Sequence, residues 1–144
     1  MSFELPPIVK QAERLMVEIE EAVRRFPRYH KYTHGAELRT AAMRVTRLTH
    51  RAWRDRRHQA HWLDELVWAI DELKITMQLG QRVRAYASLR QFEHLARQAR
   101  QLGKQAGGWR KQQHPKGQNP APSAASERAQ TLSTRTASAQ EATP

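Results

Sequence analysis

The 144-residue chain has no cysteine, which excludes a disulfide framework, a thiolate nucleophile and any zinc site built on cysteine. Acidic residues are scarce: 14 Asp and Glu stand against 25 Lys and Arg, for a formal net charge of +11. That balance repels cations and attracts polyanions, nucleic acid first among them. No apolar run approaches the roughly 18 residues that a membrane span requires. The start, MSFELPPIVK, has neither the basic n-region nor the apolar h-region of a secretion signal. A cytoplasmic location is therefore expected.

Catalytic patterns are missing as well. The six glycines form no phosphate-binding loop, and there is no GxSxG and no nucleophile paired with a base at a recognisable spacing. Neither an enzyme nor a cofactor is expected. Seven histidines invite a search for metal ligands, because di-iron four-helix proteins use two Glu-x-x-His motifs and two further Glu. Here a single Asp55-x-x-His58 occurs, and the pairs His30/His34 and His58/His61 have no carboxylate or thiol complement, so no metal is expected.

What the chain has is four apolar stripes of helical period. Ile8, Ala12, Leu15, Met16, Ile19, Ala22, Val23 and Phe26 recur at steps of three and four, predicting a helix over about residues 7–26 that opens on Pro7 and closes at Phe26-Pro27. Leu38, Ala41, Ala42, Val45, Leu48, Thr49, Ala52 and Trp53 predict a second over about 34–57, with Thr33 as N-cap. Leu63, Leu66, Val67, Ile70, Leu73 and Met77 predict a third over about 60–84, its last turn slightly weakened by Gly80. Ser88 and Gln91 have capping-box spacing and open a fourth over about 89–109, with Phe92, Leu95, Ala96, Ala99, Leu102, Gly103, Ala106 and Trp109 on its stripe. Helices of about 20 residues, roughly 30 Å long and joined by short connectors, predict an all-α, antiparallel up-down-up-down four-helix bundle over residues 1–111. Residues 112–144, rich in Pro and small polar residues with one Leu, are expected to be a disordered polar tail.

The charge is sided. From residue 110 onward there are five basic and two acidic residues, so +8 of the total belongs to the preceding bundle. Arg44, Arg47, Arg51 and Arg54 fall at steps of three, four and three on the second helix, and Arg90, Arg97, Arg100 and Lys104 share a side of the fourth. The first helix instead balances its bases with Glu13, Glu18, Glu20 and Glu21. Charged ribbons are also the ordinary solvated face of amphipathic helices; two acid-poor ribbons on a chain of this charge favour phosphate contact.

The connector RFPRYHKYTHGAELR, residues 25–39, has two readings. It is a helix-helix turn packed by its own aromatics, or a place where Tyr29, Tyr32 and His30 stack on unpaired bases while Arg28 and Lys31 hold phosphates; the two are compatible. Lys74 projects into the apolar stripe of the third helix and cannot remain there unpaired. It must reach the bundle edge, pair with Asp71, or enter an interface. On the opposite side of that helix Trp68, Ile75 and Leu79 form a second apolar stripe, expected to be an oligomer interface.

Three motifs carry a resemblance. FPRYHKYTHGAELRTAAM, LDELVWAIDELKITMQLGQRVRAYAS and LGKQAGGWRK resemble, in order, the first connector, third helix and Gly-Gly-Trp ending of a family of small four-helix proteins that includes the accessory variability protein of diversity-generating retroelements. The similarity spans about residues 8–111. It implies a homopentamer of four-helix bundles that forms a basic barrel, associates with the retroelement's reverse transcriptase and with template RNA or its cDNA, and supports mutagenic copying. Lys74, Arg82 and Arg84 match the family's basic positions. Gln78 stands where many relatives have a second Arg, and His34 replaces an apolar residue. A related group of the same fold, encoded by intervening sequences of bacterial large-subunit ribosomal RNA, is the alternative, and implies a scaffold with no retroelement role.

Overall fold

The computed structural model describes residues 4–113, in which every regular element is helical and no strand occurs. Four long helices, α1 (Pro7–Arg24), α3 (His34–Arg54), α4 (Gln59–Arg82) and α5 (Leu89–Gln113), are joined by a one-turn helix α2 (Arg28–Lys31), a 3-10 turn (Arg56–His58) and a short final connector. They are the four helices expected from the stripes. The polar tail expected from residue 112 lies, from 114 onward, outside the described residues.

Cross-helix pairs fix the arrangement. Glu13 meets His50 while Glu20 meets Arg39, so α1 and α3 run antiparallel. Gln59 Nε2 donates to the Ala52 carbonyl and Arg44 reaches Glu65, so α3 and α4 are antiparallel as well. Arg110 bonds Asp64 and Lys74 lies against Gly103, which makes α5 antiparallel to α4. Glu18 links α1 to α5 through His94 and Gln98. Each of α1 and α4 thus neighbours both α3 and α5, which lie diagonally across the bundle. Inside, Leu15, Ile19, Leu38, Val45, Leu63, Leu66, Ile70, Leu73, Met77, Leu95 and Leu102 are fully buried. Burial of such side chains contributes about 1.5–3 kcal/mol each relative to exposure.

Helix ends differ in detail from the stripes. α1 stops at Arg24, not Phe26, because the Arg25 and Phe26 amides bond back three residues to Ala22 and Val23 and tighten the last turn. α3 stops at Arg54, not Arg57: Asp55 leaves helical geometry and accepts from the His58 amide, which opens the 3-10 turn. Thr33 occupies the N-cap of α3, but its hydroxyl donates back to the Tyr29 and His30 carbonyls and does not cap. At α5 the Gln91 amide donates to Ser88 Oγ at 3.1 Å as expected. The reciprocal bond of Gln91 goes to the Ala87 amide, one residue before the cap. The last helix continues past Trp109 to Gln113.

The end of α4 is closed by a paired turn in which the Ala85 amide donates to Gly80 and the Arg84 amide to Gln81, at 2.9 and 3.0 Å. This motif places its penultimate residue in the left-handed region, normally glycine. Here the residue is Arg84, with φ 60°. Gly80 is needed for close approach: a Cβ there would stand 2.7 Å from His34 Nε2.

Candidate nucleic-acid and partner interface

The α3 cations are all exposed. Steps of three, four and three keep Arg44, Arg47, Arg51 and Arg54 on one face of the helix, with Arg44 and Arg51 meeting α4 and Arg47 lining a groove toward α1. Arg44 reaches Glu65 at 3.4 Å with both side chains about half-exposed, a geometry worth ~0–1 kcal/mol and screened by salt. Arg51 lies over the Trp62 ring, 4.9 Å from its centroid. The Trp62 indole N–H donates to Asp55 at 2.8 Å and, with smaller help from His58, holds the Asp55 carboxyl below its usual range. Arg47 lines a groove along α1 with Arg39, whose charge is taken by Glu20 at 3.0 Å. Among the described residues Arg47, Arg51 and Arg54 have no carboxylate within ion-pair distance.

On α5, Arg97, Arg100 and Lys104 line a shallow depression together with His94, and Arg90 and Arg97 line a second one with Arg25 from the end of α1. Two acids stand near this face: Glu18 of α1 is bonded by His94 Nε2 at 2.8 Å and Gln98 Nε2 at 2.7 Å, and Glu93 is exposed on α5 three residues from Arg90 and four from Arg97. Arg90, Arg97, Arg100 and Lys104 are exposed to solvent and form no ion pair among the described residues, Glu93 included. Because α3 and α5 are diagonal, their basic faces are separate surfaces.

Lys74 resolves its position by the first of the expected routes. It is half-buried, and its stem crosses α5 where Gly103 leaves room, so that a Cβ at Gly103 would stand 3.0 Å from Nζ. The pair with Asp71 is not formed. The head group opens on a small groove floored by Met77, Phe92 and Ala96 and flanked by Arg100. On the outer side of α4, Trp68, Ile75 and Leu79 are 64, 57 and 53% exposed, with exposed Asp71 and Glu72 on the same face between the first two. Arg82 and Arg84 are exposed at and just beyond the end of α4.

The sequence reading missed Arg25, which meets Arg90 and Arg97 only because the first and last connectors share one end of the bundle. A signal existed, since no acid occurs between Glu21 and Glu37. Asp55 and His58 face each other at 3.1 Å, with Trp62 completing the contacts of the carboxylate. No group of three or more His, Asp or Glu arranged to hold a metal occurs among the described residues. No described helix is long and apolar enough to cross a membrane.

An antiparallel four-helix bundle with unneutralised cations on two separate faces defines a class of small basic helical proteins. Within that class, the family model for bAvd-like proteins matches residues 7–113. The chain belongs to the bAvd-like family, the accessory variability family whose motifs it carries, and that family is one of non-catalytic accessory proteins. No curated protein matches the sequence.

Proposed function

We propose that this protein is the accessory subunit of a diversity-generating retroelement that binds the element's reverse transcriptase together with template RNA or cDNA. It supports mutagenic copying without performing chemistry of its own. The observation that carries this reading is the set of exposed Arg and Lys on α3 and α5 that the acids of α1 leave unpaired. Guanidinium groups in that state bind phosphate oxygens two at a time, and each neutralised phosphate releases a counterion. Family membership supports the accessory role.

The apolar strip Trp68, Ile75 and Leu79 supports assembly into a homo-oligomer, with a pentamer as the form that the family resemblance implies. Five bundles carrying +8 each would concentrate a formal charge of roughly +40, a strong field for a polyanion and for an acidic patch on an enzyme. Assembly also multiplies weak contacts through effective concentration.

Co-expression with the reverse transcriptase of the same element tests the partner assignment. Affinity capture through a tag on this chain recovers the enzyme in a salt-sensitive complex. Capture of this chain alone, at low salt and with soluble enzyme present, contradicts it.

A further inference from the structure

The two connectors at one end of the bundle are tied by aromatic contacts: Phe26 stands edge-on to Tyr86 at 5.3 Å, and Tyr86 meets Phe92 at 5.4 Å. Neither connector holds an acid, for none occurs between Glu21 and Glu37 or between Glu72 and Glu93. This end therefore combines Arg25 and Arg28 of the first connector with Arg82, Arg84 and Arg90 around the second, all exposed. Arg25 and Arg90 line one cleft.

Two side chains at this end lie outside the core, Tyr29 standing edge-on to the neighbouring His30 ring at 5.0 Å. Tyr29 and Tyr32 are 82 and 70% exposed, more than any other large apolar or aromatic residue described. They lie three residues apart at the single turn α2 and so share a side of it. The turn is held without them, by the His30 and Lys31 amides donating to Pro27 and by the Thr33 hydroxyl donating to the Tyr29 carbonyl. Phe26 and Tyr86, not these two tyrosines, fill the space beneath. The reading of the connector as a turn packed by its own aromatics thus accounts for Phe26 and the Tyr29–His30 contact, and leaves the large exposed faces of Tyr29 and Tyr32 unexplained.

Arg84 is a third, independent observation. Its left-handed backbone is a conformation that glycine adopts without cost and that a side chain disfavours. Strain of this kind collects where a side chain serves function, and this side chain is an exposed cation beside the same connector.

Resting on the nucleic-acid reading above, we propose that this end of the bundle is a single-strand site, where Tyr29 and Tyr32 stack on unpaired bases and Arg25, Arg84 and Arg90 hold the adjoining phosphates. Single strands are the matching partner because paired bases are stacked on one another and offer no face to a protein aromatic. Stacking tolerates any base, so the site takes single strands without reading their sequence.

The test is fluorescence anisotropy of the full chain with a labelled single-stranded RNA and with an RNA duplex of equal length, both at low salt. Replacing Tyr29→Ala and Tyr32→Ala together lowers single-strand affinity by at least about thirtyfold and leaves duplex affinity within twofold; Tyr→Phe at both positions restores the loss. Arg84→Gly guards against a folding artefact, because it raises the thermal midpoint by roughly 4 °C while weakening single-strand binding. Equal losses for both RNAs, or none for either, overturn the site but leave the general nucleic-acid reading standing. Loss of reverse transcriptase capture with RNA affinity intact overturns it in favour of a protein-docking surface. Absence of any RNA binding by the unaltered protein removes the underlying reading itself.

Discussion

The ammonium of Lys74 rests against Gly103 of the antiparallel neighbour α5, where a methyl group would come within 3.0 Å of Nζ. The crowded atom is the free end of a flexible chain, so it can yield. Gly103→Ala is expected to stabilise the fold by up to about 1 kcal/mol in urea denaturation, the gain of alanine over glycine inside a helix. Gly80→Ala is expected to do the opposite. Its methyl would meet the His34 ring at 2.7 Å and Tyr86 at 3.1 Å, and overpacking of this kind costs about 1–3 kcal/mol.

Tyr86 is buried and donates its hydroxyl to the Met77 carbonyl at 3.0 Å. Tyr86→Phe leaves that carbonyl without its side-chain partner and is expected to cost about 1 kcal/mol. Burial pushes the phenol well above its ordinary value of 10.0. The folded protein therefore retains a proton that the unfolded chain releases above that pH, and stability falls as pH rises. Denaturation followed from pH 8 to 11 should show this alkaline loss in the wild type and a shallower one in Tyr86→Phe.

The strip on α4 makes assembly testable. Replacing Trp68 and Ile75 by glutamate is expected to give smaller species in light scattering with unchanged helicity, since exposed positions contribute little to packing within one chain. A wild type that is already monomeric would remove the assembly proposal.

Much of the bundle was legible because a period of three and four in apolar residues survives any detail of packing. Leu15, Leu38, Leu66 and Leu102 are buried as their stripes imply. What the stripes did not contain were choices made between elements. Thr33 has two carbonyls within reach and bonds them in place of an amide. Lys74 finds an exit only because Gly103 lies opposite. Arg44 and Arg51 meet Glu65 and the Trp62 ring only because α4 packs beside their face of α3. Arg25 becomes part of a basic cleft only through a helix that begins more than sixty residues later.

Charge reversal separates the two basic faces. Arg44→Glu, Arg47→Glu and Arg51→Glu together are expected to weaken RNA binding at least tenfold without loss of helicity, because these side chains are exposed. If RNA affinity is unchanged, the contact lies elsewhere and α3 is not part of it.

The most direct measurement is the affinity of the unaltered protein for labelled RNA as salt is raised. Several neutralised phosphates require a steep, log-linear weakening, by about a thousandfold or more between 50 and 200 mM salt for six or more contacts. Absence of binding at 50 mM, or an affinity indifferent to salt, would contradict a nucleic-acid role for the exposed arginines of α3 and α5.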